Sequence, residues 1–177
     1  MTRSRSHPTA MADPAPQQQS SPVVHRAVWE TTSAAATHAL GKSIGRSCEG
    51  GEVIALIGQL GTGKTCLVRG VAVGLGVSQE SVASPTFALI HEYRGRVPVC
   101  HVDLYRLEKH EAEHGLGLEE YTEPPSVTLI EWADKAPAVL PRNHLKIVLE
   151  HLGGDRRRIA LHAQGARYEA LVARILA

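Results

Sequence analysis

The chain has 177 residues, 19 Lys and Arg against 18 Asp and Glu, a formal net charge of +1, and only 4% aromatic residues. That length is one domain's worth, enough to bury a core without disulfides or metal, and a charge so near zero gives no electrostatic argument for a nucleic-acid or membrane partner. Cys48, Cys66 and Cys100 are odd in number and form no CxxC pair, which excludes a disulfide framework and a zinc pattern and leaves buried free thiols in a reducing cytoplasm as the reading.

Residues 1–22 are Ser, Pro, Gln and Ala with almost no large apolar side chains. Such a segment cannot bury enough surface to offset its ordering entropy, so it is expected to be a disordered tail. Arg3 and Arg5 are followed by no apolar stretch, so no secretory signal is expected, and no run approaches the ~18 apolar residues of a membrane span. From residue 23 to 177 the composition is that of one globular domain.

Within it, residues 23–29 (VVHRAVW) read as a first strand. Thr32 or Ser33 can cap a helix through residues 34–45, ended by Gly45. Residues 49–52 (EGGE) make a turn into EVIALIG, a continuous apolar strand of the kind covered on both faces. Residues 65–76 (TCLVRGVAVGLG) then form a helix closing at Gly74 or Gly76. FALIHEY and VPVCHVDLY flank Arg94-Gly95-Arg96 as a hairpin. HEAEH (residues 110–114) is a short polar helical turn. VTLIEW (127–132) is a second continuous apolar strand, and residues 133–140 are a short helix or turn stopped by Pro141. LKIVLEHL and RRIALHA form a second hairpin around Gly153-Gly154, and residues 166–177 are an amphipathic helix.

The stretch between the first apolar strand and its helix, GQLGTGKT at residues 58–65, satisfies G-x-x-x-x-G-K-[ST], the phosphate loop. Gly58 lets the chain turn off the strand end. Gly61 and Gly63 bring backbone N–H groups onto phosphate oxygens, and the helix beyond aims its N-terminal amides at the same anion. Lys64 brings a mobile charge to the β- and γ-phosphates and Thr65 a hydroxyl for magnesium. Gln59, Leu60 and Thr62 fill the unspecified positions, and Cys66 follows in the first helical turn. The predicted nucleotide-binding set is therefore Gly58, Gln59, Leu60, Gly61, Thr62, Gly63, Lys64, Thr65 and Cys66, with Trp132 at the end of the second apolar strand, where ligands of open α/β sheets bind.

Hydrolysis needs more than a phosphate loop. Glu131 ends VTLIE directly after an apolar run, where an acid is costly unless a cation or hydrogen bonds stabilise it; it is the candidate magnesium carboxylate, with a strand-end salt bridge as the plain alternative. Asp103 in CHVDLYRL could hold a magnesium-bound water or position the attacking water, or could simply cap a turn. Ten histidines invite a metal hypothesis, and His91, His101, His110 and His114 are clustered. His110 and His114, the ends of HEAEH, are four apart and would share a helix face, but no Cys/His ligand set accompanies them, so the histidines are read as solvated.

Taken together, GQLGTGKTCLVRG, SPTFALIHEY, HVDLYRL and IEW, in that order, resemble the TsaE (formerly YjeE) family of small bacterial P-loop ATPases. The fold expected from these elements is a single α/β P-loop domain whose mixed sheet is parallel around the two apolar strands and antiparallel through the hairpins. The resemblance adds expectations about function. It implies ATP and Mg²⁺ as ligands, and TsaB and TsaD as partners in installing threonylcarbamoyl on the adenosine beside the anticodon of tRNAs reading ANN codons. TsaD performs the transfer, and ATP hydrolysis supports turnover. Lys64 and Thr65 then hold phosphate and magnesium, Glu131 serves the metal, Asp103 is needed for hydrolysis, Trp132 lies beside the nucleotide, and SPTF (84–87) is a switch-type loop. The family commonly has Asp at Gln59, Ala at Thr62, Phe at Val102 and Pro at Ala133, and the long tail is not a family feature.

Three other classes are weighed against this. A small-molecule kinase needs an Arg-bearing lid, and none stands between Leu107 and Val127. A purely structural nucleotide site has little need of two acids near the γ-phosphate. Direct RNA binding lacks basic-groove and stacking signals, so tRNA is expected to be met through partners.

Overall fold

The computed structural model describes residues 26–82, 85, 88–107, 117–122 and 124–177. The tail at 1–22, the start of the first predicted strand, all of SPTF except Pro85, and the HEAEH turn with His110 and His114 lie outside the described residues.

Two strands carry the architecture. β2 (Val53–Ile57) and β5 (Val127–Glu131) are continuous apolar runs, nearly every residue buried, and they pair in parallel with Leu56 opposite Glu131. Around them a seven-stranded sheet runs in the order β1-β7-β6-β2-β5-β4-β3. Here β1 is Arg26–Thr31, β3 Ile90–Arg94, β4 Pro98–Asp103, β6 Leu145–Gly153 and β7 Arg156–Ala163. The central β6-β2-β5-β4 ladder is parallel. β1/β7, β6/β7 and β3/β4 are antiparallel, so the mixed sheet follows the expectation, with both hairpins where predicted.

Alternation explains how the layers form. In β2, Ile54 and Leu56 face the side covered by α1 (Ala34–Ser47), α2 (Lys64–Gly74) and α3 (Ala166–Leu176). Val53 and Ala55 face the other, where Leu104, Leu107, Leu118 and two 3-10 turns, Ala133–Lys135 and Pro137–Val139, close a second cluster. Those turns replace the single helix or turn expected over 133–140. The closing helix docks through Leu171, Val172 and Tyr168, whose hydroxyl accepts from the Val53 N–H at 2.8 Å and so pins the start of β2. Beside it the buried Glu52 accepts from the backbone N–H groups of Glu49 and Gly50 and pairs with Arg167. Burial pushes the Glu52 carboxyl up, but those donors outweigh it and hold it below its ordinary range.

The first helix corrects the sequence reading. Ser33 is its cap, accepting from the Ala36 N–H at 3.0 Å, but the helix does not stop at Gly45; it continues to Ser47. Gly41 and Gly45 lie inside it because α2 crosses there on its own Gly70 and Gly74. A Cβ on Gly41 would stand 2.3 Å from the Leu67 carbonyl oxygen, one on Gly45 2.1 Å from that of Val71, and one on Gly70 2.2 Å from that of His38. These glycines are packing residues rather than stop signals. The first strand likewise extends past Trp29 to Thr31. Of the three thiols Cys48 and Cys100 are buried, as expected, and Cys66 is half-exposed. Burial pushes the Cys48 and Cys100 thiols up to about 12.

Replacing Gly45 with Ala tests the close crossing. Intrinsic propensity alone would favour Ala by ~1 kcal/mol, whereas overpacking against an unyielding backbone costs about 1–3 kcal/mol. A net loss, read as a lower urea midpoint at unchanged slope, is expected; a raised midpoint would show that the helices can separate freely.

Candidate functional site

The phosphate loop sits where β2 gives way to α2, and its backbone is already bent. Gly58 has φ +156°, and a Cβ there would meet the Leu149 carbonyl oxygen at 2.6 Å. Gly61, at φ +80°, has no atom within 4 Å of a Cβ position. The first glycine answers crowding by β6, while the second keeps an open crest over which backbone amides are accessible.

Lys64 opens the helix yet is buried, 4% exposed. Its Nζ donates to the carbonyl oxygens of Gly58 (2.6 Å) and Gln59 (2.9 Å) and stands 3.7 Å from the centre of the Trp132 ring. Burial lowers its pKa; the nearby carboxylates of Glu131, Asp103 and Asp134 act in the opposite sense. The ammonium is thus stored inside its own loop, held by two carbonyl dipoles and an aromatic face.

One residue on, the Thr65 hydroxyl donates to Glu131 Oε2 at 2.8 Å. Glu131 ends β5 with 2% exposure, and its other oxygen, Oε1, lies 2.9 Å from Nε2 of His101. Asp103, 4% exposed at the end of β4, is the register partner of Glu131, and its Oδ1 accepts from the Tyr105 N–H at 3.0 Å. Trp132 then leaves the strand at φ +59°, ψ +37°. A bulky side chain in the left-handed region is uncommon and is sustained only by its surroundings. Here they are the tilted Tyr105 ring, 5.1 Å away between centres, and the Lys64 ammonium.

These groups share a cleft of ≈ 340 Å³. Of the predicted set it gathers Leu60, Gly61, Gly63, Lys64, Thr65, Cys66, Asp103, Glu131 and Trp132. Gly58, Gln59 and Thr62 instead line a second groove of ≈ 370 Å³ against Val148, Leu149, Glu150 and His151. The loop is therefore a partition with one wall on each side. A hydroxyl and a carboxylate in contact, with a second carboxylate alongside, form the hard-oxygen set that magnesium takes, so the donors present fit that ion. Sequence reasoning missed two residues. Tyr105 carried no signal beyond its nearness to Asp103. His101 was grouped with solvated histidines, yet it is fully buried; its position two residues before Asp103 on one strand, hence on the same face, was the available clue. Among the described residues no group of three or more His, Cys, Asp and Glu is arranged to hold a metal by itself.

A glycine loop between a buried parallel strand and a helix, with an acid of the adjacent parallel strand meeting the loop's Thr, defines a P-loop NTPase-type domain. The chain belongs to the TsaE family: the family described as "Threonylcarbamoyl adenosine biosynthesis protein TsaE" matches residues 31–159. The tRNA threonylcarbamoyladenosine biosynthesis protein TsaE of Bacillus subtilis is 41% identical over 144 residues, 81% of this chain and 89% of that protein. The protein of the same name from Treponema pallidum is 40% identical over 73% of this chain and 95% of its own length. The crystal structure of Bacillus subtilis YdiB superposes with a TM-score of 0.74 at 35% identity, covering 88% of this chain and 97% of that one.

Nucleotide entering this cleft must disturb the indole over Lys64. Added ATP should change tryptophan emission, and the change should survive Trp29→Phe and vanish with Trp132→Phe. Trp29 stands in β1, three strands away from β2. The opposite pattern would place the nucleotide against β1.

Proposed function

We propose that this chain is the magnesium-dependent ATPase component of the apparatus that makes threonylcarbamoyladenosine, working with TsaB and TsaD on tRNAs reading ANN codons. Membership in the TsaE family supports the pathway. The observation that carries the ATPase reading is the 2.8 Å contact between the Thr65 hydroxyl and Glu131, with Asp103 in register beside it.

The chemistry follows from the stored geometry. Phosphate binding would draw the Lys64 ammonium from the Gly58 and Gln59 carbonyls toward the β- and γ-phosphates, trading two dipoles for a full charge. The loop amides and the start of α2 hold the same oxygens. Thr65 and Glu131 are the residues that would hold Mg²⁺, which when bound neutralises charge gathering on the phosphate oxygens. Asp103 sits where it can orient the attacking water, its Oδ1 held by the Tyr105 N–H. Cys66 lines the cleft beside them, and Trp132 covers Lys64. Residues 23–177 are the working domain and 1–22 an extension of it. Among the described residues no helix is long and apolar enough to cross a membrane. The proposed site of action is the cytoplasm, where tRNA modification takes place, and tRNA is met through the partners.

ATP hydrolysis measured alone and with purified TsaB and TsaD tests the proposal: slow turnover alone and a large stimulation by the pair are expected, and no hydrolysis in either condition would contradict it. The two acids separate by role. Glu131→Ala should weaken nucleotide binding only when magnesium is present, whereas Asp103→Ala should spare affinity and lower hydrolysis. Lys64→Ala should cost 10-fold or more in affinity or turnover, on the order of the ~1.4 kcal/mol or more carried by a charge-assisted contact. Magnesium dependence lost in Asp103→Ala and kept in Glu131→Ala would reverse the assignments.

A further inference from the structure

His101 has no part in the chemistry just described, yet its position is specific. It is fully buried in β4, with Nε2 2.9 Å from Glu131 Oε1. Its Nδ1 is buried without a hydrogen-bond partner. Packing alone does not favour such a residue: an apolar side chain would fill this part of the strand and leave no nitrogen idle. What the imidazole adds is a donor. A carboxylate only accepts, so the bond runs from Nε2–H to Oε1.

The consequence lies at the other end of the carboxylate. Oε2 accepts from the Thr65 hydroxyl at 2.8 Å, so Glu131 is held from both sides, by a ring beneath the sheet end and by the first turn of α2. The Thr65 contact is the one that ligand binding must rearrange, since that hydroxyl has to present a lone pair to a cation. The His101 contact faces away from the cleft, whose lining does not include it, and can persist throughout. Strand alternation sets this up: His101 and Asp103 are two apart on one face of β4, and Asp103 is the register partner of Glu131. One strand thus supplies both the acid beside Glu131 and the ring under it.

We propose that His101 is a positioning residue for magnesium binding, fixing the Glu131 carboxylate so that Oε2 stays aimed at Thr65 and the cleft. This rests on the assignment of Glu131 to the metal. Partners behind a metal-binding carboxylate typically change metal affinity by about 10–100-fold when removed. Nothing in this role requires His101 to touch nucleotide.

The test is the magnesium concentration needed for half-maximal binding of a non-hydrolysable ATP analogue, followed by calorimetry so that turnover plays no part. His101→Leu keeps bulk and removes the donor; His101→Gln places an amide N–H near the position of Nε2. His101→Leu should raise the magnesium midpoint by about 10–100-fold while leaving metal-free binding of the analogue unchanged, and His101→Gln should return the midpoint close to that of the unmodified protein. If His101→Leu does not fold, His101→Met takes its place with the same expectation. A midpoint unmoved in the apolar variant, or moved equally by Leu and Gln, would overturn the proposal, because the ring would then serve only to fill space. Analogue binding by the unmodified protein that ignores magnesium would instead overturn the assignment of Glu131 itself, and this inference with it.

Discussion

The parallel pairing of β2 with β5 fixes the site more than any single side chain does. Leu56, two residues before the phosphate loop, stands opposite Glu131, the last residue of β5. Because side chains alternate along a strand, a slip of one residue would turn Glu131 to the opposite face and move it along the sheet. In the observed register its carboxylate reaches the Thr65 hydroxyl at 2.8 Å, and a neighbouring parallel pairing sets Asp103 beside it. Both strands are buried almost throughout, so a slip would carry the Glu131 carboxylate away from its Thr65 and His101 partners at a desolvation cost. The two acids stand at the carboxyl ends of such strands, where the sheet stops and the loops open the cleft.

The second constraint is the approach of α1 to α2. Gly41, Gly45, Gly70 and Gly74 remove the Cβ atoms that would strike the partner's carbonyl oxygens. α2 begins with Lys64 and Thr65, so the height and tilt of this helix decide where the ammonium and the hydroxyl stand. Cys66 and Arg69 follow in its first turns, so the whole N-terminal end of α2 moves with that crossing. Helix packing on one face of the sheet therefore tunes chemistry at its edge, through a rigid element rather than a chain of polar contacts.

Much of this was legible beforehand because the signals were local. A continuous apolar run, a glycine loop and a helical pattern are contiguous in sequence, and both hairpins carry glycine at their turns. The phosphate loop and the two acids could be named for that reason. The strand order could not, since it depends on which runs meet across long separations. Gly45 misled because a glycine at a helix end and a glycine at a helix crossing look alike until the second helix is placed. His101 was missed on similar grounds: it lies in β4 between β3 and β5, and its partner Glu131 is 30 residues away. The strained backbone of Trp132 had no sequence signature either, since φ is positive there on a residue that rarely adopts it.

Thr65 and Glu131 are proposed to form one magnesium site at the foot of the phosphate loop. A crystal structure with magnesium and a non-hydrolysable ATP analogue tests it directly. The expected result is the ion on the Thr65 hydroxyl oxygen, with the Glu131 carboxylate serving it directly or through a bound water and Lys64 swung off the Gly58 and Gln59 carbonyls onto the phosphates. Magnesium held away from both residues, with Lys64 still folded into its loop, would contradict it.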